Sequence, residues 1–232
     1  MDLFKKRLYK FYKELRYYYF LPRGIFGVQR KIWEKRQLGE ELDYWKNPTK
    51  YEPLEGHKTM KERLLSININ MFNGLKRTFH NGVVCEIGCG PYGGLLPKIK
   101  AKTKFGLDPL ANEYKKLHSE PEIIMLKSIA EEMPFTDSSL DAVFCVNALD
   151  HVLNPSKVIN EIYRVLKKGG YLALSVDVDG TPGHPHVIKE KYLDRKLKGK
   201  YKVIEKKCSG EIKSSWNADL EIPLYVFQGL KI

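Results

Sequence analysis

Val83-Val84-Cys85-Glu86-Ile87-Gly88-Cys89-Gly90-Pro91-Tyr92-Gly93-Gly94 is the stretch that decides the fold. An apolar run with strand character leads into a glycine loop, and a helix is expected to follow. Glycines suit such a loop because a Cβ would hold the backbone away from a bound cofactor. Gly88, Gly90 and Gly93 satisfy the G-x-G-x-x-G dinucleotide pattern, a weak signal when it stands alone. Glu86 weighs against a dinucleotide, since a carboxylate just before the first glycine repels a pyrophosphate but suits a cationic ligand. Asp108 ends the next apolar run, Phe105-Gly106-Leu107, 22 residues after Glu86. A carboxylate there can accept hydrogen bonds from both hydroxyls of a ribose, which indicates a nucleoside without choosing one.

Outward from this stretch, apolar runs at 83–87, 104–107, 122–126, 142–146 and 171–176 read as buried parallel strands. Helix-length segments separate them. Pro155–Leu166 is one, and Lys167-Lys168-Gly169-Gly170 stops it. Two further strand-like runs, 201–208 and 222–230, predict an antiparallel C-terminal pair that closes the sheet. Repeated β-α-β units with right-handed crossovers make a doubly wound α/β domain. Before it, Phe4, Leu8, Phe11, Leu15 and Tyr18 predict an amphipathic helix, and a second basic helix is expected over 28–37. Residues 47–56 read as a loop, and Met60 to Leu75 carry a helical pattern expected to run from Lys58 to His80. The division is a helical cap or lid at 1–56 and an α/β domain at 57–232.

From 83 to 176 the chain resembles the class I S-adenosylmethionine-dependent methyltransferases, particularly small-molecule enzymes related to those of the ubiquinone pathway. The resemblance is carried by Glu86-Ile87-Gly88-Cys89-Gly90, Gly106-Leu107-Asp108, Ala130-Glu131-Glu132-Met133-Pro134-Phe135, Leu140-Asp141-Ala142-Val143-Phe144 and Glu161-Ile162-Tyr163-Arg164-Val165-Leu166-Lys167-Lys168-Gly169-Gly170. It implies a Rossmann-like, mostly parallel seven-stranded sheet and S-adenosylmethionine as cofactor. Asp108, with Pro109 beside it, would then hold the ribose. Glu86, Gly88 and Gly90 would line the methionine part, Ile129 and Ala130 would border adenine, and Asn147 would complete the pocket. Tyr92 stands where the family often has glycine, and Ile129 replaces an acid that many members carry.

Asn147-Ala148-Leu149-Asp150-His151 follows the fourth strand, and Asp177 to His186 follows the fifth, so both reach the carboxyl edge where open α/β sheets bind ligands. His151, His184 and His186 are candidate general bases, because an imidazole can take a hydroxyl proton near neutral pH. Asp177, Asp179, His184 and His186 obey no metal-ligand spacing, and no metal is expected. The four cysteines show no disulfide or zinc pattern.

The expected function is methyl transfer to a small-molecule or carbohydrate-like acceptor, at oxygen rather than nitrogen. A lipid or quinone acceptor at a membrane surface and RNA are the alternatives. A dinucleotide-binding reductase and a non-catalytic binding module represent other classes. Of the net charge of +12, residues 1–36 carry +8 and residues 187–213 carry +6, leaving the remainder at −2. These basic ends suit an anionic partner, and residues 1–36 suit peripheral membrane contact better than nucleic acid. With no secretory signal or spanning segment in the sequence, the expected place is the cytoplasm, with contact at the inner membrane face through the basic helix.

Overall fold

The computed structural model describes residues 30–31, 33–50, 56–73, 75, 77–118, 120–181, 184–208 and 223–232. The helix expected over residues 4–18 lies outside them. Seven strands form one sheet: β1 (Phe79–Ile87), β2 (Ala101–Leu107), β3 (Ile124–Leu126), β4 (Leu140–Val146), β5 (Leu166–Asp177), β6 (Tyr201–Lys207) and β7 (Leu224–Lys231). Their order is β3-β2-β1-β4-β5-β7-β6. The first five run parallel, whereas β7 is antiparallel to both β5 and β6. The last strand thus inserts between β5 and β6 instead of extending the sheet edge beyond β6. Strand order reverses between β1 and β4, and a crevice at such a switch point is where open sheets bind ligands.

Strand alternation sends successive side chains to opposite faces. Cys85 and Ile87 of β1, Val143 and Cys145 of β4, and Leu172 and Leu174 of β5 pack on one face. Helix α4 (Pro155–Val165) covers that face with Val158, Ile159, Ile162 and Val165. Asn154 caps α4 by accepting from the Lys157 amide at 3.1 Å, and Pro155 occupies the first turn, where a missing N–H costs nothing. Helix α5 (Glu190–Leu197) adds Leu193 and Leu197. On the other face Val84, Phe144 and Ala173 meet Leu95, Leu96, Met71 and Phe72. Cys85, Cys89 and Cys145 are free and buried, and burial raises all three thiol pKa values, as small apolar core residues require.

Three local expectations are corrected. Helix α2 (Met60–Met71) starts at a Thr59 cap but ends well before His80. Asn73 and Leu75 take left-handed φ values of 51° and 37°, which stops the helix, and His80 lies in β1. No α-helix follows the glycine loop: residues 88–95 form turns and Leu96–Lys98 a single 3₁₀ turn. Gly93 and Gly94 are left-handed, and Pro91 and Pro97 lack donors, so a regular helix cannot propagate there. The second basic helix runs past its expected end. A π turn, Glu34–Leu38, continues as α1 (Gly39–Lys46). Also among the described residues are α3 (Ala111–Leu117) and no helix long and apolar enough to cross a membrane.

Candidate functional site

A cavity of about 240 Å³ opens over the carboxyl ends of β1, β2 and β4. Its floor is the glycine loop. Gly88 and Gly90 have φ values of 64° and 60°, a region that favours glycine. A Cβ on Gly88 would come within 2.6 Å of the Ala148 side chain. Glu86 is buried beneath the loop and accepts from the backbone amides of Leu95, at 2.7 Å, and Leu96. A Cβ on Gly94 would fall 2.0 Å from a Glu86 carboxylate oxygen, so glycine is required there to admit the acid. Burial pushes the Glu86 pKa up to about 8 against the pull of these two amides. Glu86 therefore braces the loop from below, a contact that its position before the first glycine does not reveal.

Asp108 sits at the end of β2 with both oxygens engaged. Oδ2 accepts from the Gly90 amide at 3.2 Å, and Oδ1 from the Leu110 amide at 2.9 Å. Burial lifts its pKa to about 7, with the two amides working against the rise. Pro109, Ile129 and Ala130 line the same end of the cavity. Asn147, left-handed at φ 48°, lines it from β4, and its Oδ1 is buried with no hydrogen-bond partner. The eight residues expected around a cofactor thus border one space. A helix N-terminus on the third glycine, which a dinucleotide pyrophosphate uses, is missing from the loop.

Two of the three candidate histidines reach the cavity, and they reach it together. The His151 and His184 ring centroids are 3.9 Å apart. His184 Nδ1 lies 2.5 Å from the Asp150 carboxylate, which is fully buried. His151 Nδ1 lies 2.7 Å from Glu41. Burial alone lowers the His151 pKa, but the carboxylates of Glu41 and Asp150 outweigh it and raise it to about 9. His151 is accordingly an imidazolium near neutral pH, the wrong state for a general base. His186 is turned away: its Nε2 meets the Val152 carbonyl at 2.7 Å, burial depresses its pKa, and it does not line the cavity. Of the three, His184 both lines the cavity and has its Nδ1 on a buried carboxylate.

The four groups weighed as metal ligands are engaged in different contacts. Asp179 pairs with Lys189 at 2.7 Å, Asp177 accepts from Thr181 at 2.9 Å, and His186 is held as above. Asp150 and His184 are instead bonded to each other, and His151 is held by Glu41.

The roof comes from the cap. Trp33, Gln37, Leu38, Glu41, Tyr44 and Trp45 all line the cavity. The Trp45 ring makes edge contacts with Tyr92 and Tyr114, and it would sit 3.4 Å from a Cβ on Gly90. Tyr92, in a position the family often gives to glycine, therefore serves as a support for the roof. None of these cap residues belongs to a motif. The only signal in the sequence was a surplus of aromatics beside charged residues, a pattern that many solvated helices share.

The methyltransferase-domain family matches residues 85–174. Ubiquinone biosynthesis O-methyltransferase of Pseudomonas putida is 29% identical over 144 residues, covering 57% of this chain and 56% of that protein. The chain thus spans about half the length of the curated relatives it matches. A methyltransferase of Thermotoga maritima, described as a possible histamine N-methyltransferase, superposes with a TM-score of 0.58 at 21% identity, over 82% of this chain and 98% of that one. An S-adenosylmethionine-dependent methyltransferase of Aquifex aeolicus gives 0.57 at 18% identity, with coverage of 82% and 98%. These two likenesses establish the fold.

Proposed function

Since residues 85–174 form a class I S-adenosylmethionine-dependent methyltransferase domain, we propose that the chain methylates a hydroxyl oxygen of a small acceptor, a carbohydrate-like molecule included. The carrying observation is the Asp150–His184 pair beside the imidazolium of His151 at the cavity edge. The cofactor, when bound, supplies an electrophilic methyl group on a sulfonium and leaves as a neutral thioether. Two features support its fit: the floor at Gly88 that a side chain would fill, and the orphaned Asn147 oxygen. Asp108 would hold the ribose through the remaining lone pairs of its two oxygens.

His184 receives the acceptor proton. Asp150 orients the ring through Nδ1 and stabilises the charge that forms on it. His151, already charged, stabilises the acceptor oxygen as negative charge develops there. The aromatic roof excludes water and stacks on a flat or ring-shaped acceptor. A quinone or lipid acceptor is the second reading, favoured by the curated relatives and by the apolar walls Trp33, Leu38, Leu64 and Leu65. Under that reading residues 1–36 contact the membrane surface.

The test is transfer of a labelled methyl group from S-adenosylmethionine into fractionated cell extract. Label in the small-molecule or glycan fraction supports the first reading, and label in lipid supports the second. Label confined to RNA or protein would overturn both.

A further inference from the structure

Three side chains from one stretch of the cap converge on a single residue of the sheet domain. Trp33 Nε1–H donates to the His151 carbonyl at 2.7 Å. Glu41 meets His151 Nδ1 at 2.7 Å, and Gln37 Nε2 lies 3.1 Å from the Glu41 carboxylate and 2.9 Å from the same Nδ1. Nδ1 carries the proton in the imidazolium and donates it to Glu41, so the Gln37 amide is read as donating to Glu41. We propose that Glu41 is a positioning residue: acting through His151, it makes completion of the acceptor site depend on the cap being docked. The kinetic part of this proposal rests on the methyl-transfer reading, and its structural part does not.

The local geometry explains how one helix makes all three contacts. Trp33, Gln37 and Glu41 are spaced by four, and an α-helix rotates by roughly 40° over each such step. The π turn at Glu34–Leu38 holds more residues per turn and takes back part of that rotation. The three side chains then share one face. Such turns are frequent at functional sites, and here the irregularity lies between the residues that need aligning.

The electrostatics give the contact a consequence beyond docking. His151 is faced by Glu41 from the cap, by Asp150 and His184 beside it, by Asp177 at the end of β5 and by His186 from the segment that follows. Glu41 is the leading source of the rise in the His151 pKa to about 9, set against burial, which lowers it. The same pair lowers the Glu41 pKa in spite of the opposing effect of burial. With the cap lifted, His151 loses that carboxylate. The charge that stabilises an acceptor oxygen during proton removal is then upheld by Asp150 and Asp177 alone. Turnover is thereby favoured in the closed, dry cavity, where a methyl donor is safe from water.

The experiment uses the full chain with histidine rings labelled for NMR, titrated from pH 5 to 10 with and without S-adenosylhomocysteine. His151→Asn assigns the ring. One ring should titrate near pH 9 in the unmodified chain. In Glu41→Gln it should move down by at least a unit toward the ordinary value of about 6.5, and Glu41→Asp should fall between. Exchange of the Trp33 indole N–H, which reports cap docking without any activity, should rise in Glu41→Gln. Turnover of Glu41→Gln should fall about tenfold with S-adenosylhomocysteine affinity within about twofold, and Glu41→Asp should restore part of it. An unmoved His151 titration in a folded Glu41→Gln variant overturns the proposal. So does a shifted titration with unchanged turnover and unchanged pH profile. If the unmodified chain transfers no methyl group, the methyl-transfer reading fails instead, and the ring titration and indole exchange still decide whether Glu41 couples the cap to His151.

Discussion

The two halves of the cavity are built on different principles. The half over β1 and β2 is assembled from residues 86–110, neighbours in sequence, and its key contacts are carboxylates on backbone amides: Glu86 on Leu95 and Leu96, and Asp108 on Gly90 and Leu110. The half over β4 draws its groups from Glu41, Asp150, His151 and His184, across more than a hundred residues of chain. Backbone amides are supplied by any sequence that makes the turn, so the first half is tolerant of side-chain change except at the acids and glycines. In the second half each group is a side chain whose partner is another side chain. That half can be retuned by single substitutions.

The comparison predicts separable effects. The largest lies in the second half: His184→Ala should slow turnover on the acceptor by about a hundredfold or more, with S-adenosylhomocysteine affinity little changed. Isothermal titration beside a turnover assay would separate the two, and equal losses in both would erase the division. In the first half, Asp108→Ala should weaken S-adenosylhomocysteine by more than about tenfold, at least ~1.4 kcal/mol. Retained affinity would remove Asp108 from the ribose.

Gly94→Ala should destabilise the fold by about 2 kcal/mol, since its Cβ meets Glu86 at a left-handed position. Urea denaturation reads this, and a neutral result would show that Glu86 can swing aside. Cofactor binding should also respond to pH through Asp108, whose pKa of about 7 is raised. Ribose hydroxyls prefer the ionised carboxylate, so binding releases a proton, and affinity should rise severalfold from pH 6 to 8. Flat affinity over that range would mean that Asp108 is ionised throughout. The smallest effect is expected at a side chain that does not line the cavity: Asn154→Ala should cost about 1 kcal/mol through the lost α4 cap and leave affinity and turnover alone.

The acid linkage in the cap has the opposite sign. The His151 pKa is raised, so the stabilisation that its ion pair with Glu41 gives is complete below the ordinary histidine range and lost as pH rises through about 9. Glu41, with a lowered pKa, adds stability above the ordinary carboxylate range and loses it in acid. Cap docking should therefore hold from mildly acidic pH to about pH 9.

Strand positions, the parallel sheet and the placing of Asp108 at the cavity were legible in the sequence because each follows from local periodicity or from residues within one strand-loop unit, whereas the bracing contacts of Glu86 were not. Val83 to Ile87 must bury, Gly88 and Gly90 must turn, and Asp108 must end the next strand. Helix ends were less legible. Asn73 and Leu75 break α2 by backbone conformation, and the loop after Gly90 forms turns because two glycines and two prolines act together. The insertion of β7 between β5 and β6 was beyond pattern reading, since alternation identifies a strand but not its neighbours.

By itself, then, the sequence determined a doubly wound sheet with a glycine-floored cavity, because those features rest on short-range chemistry. Only the tertiary structure decided which carboxylate each histidine faces, for those carboxylates are brought from elsewhere in the chain. Asp150 lies beside His151 in the chain but bonds to His184, and His151 takes its partner from Glu41 in the cap. Charge on an imidazole is set by what faces it in space, and no spacing rule along the chain encodes that.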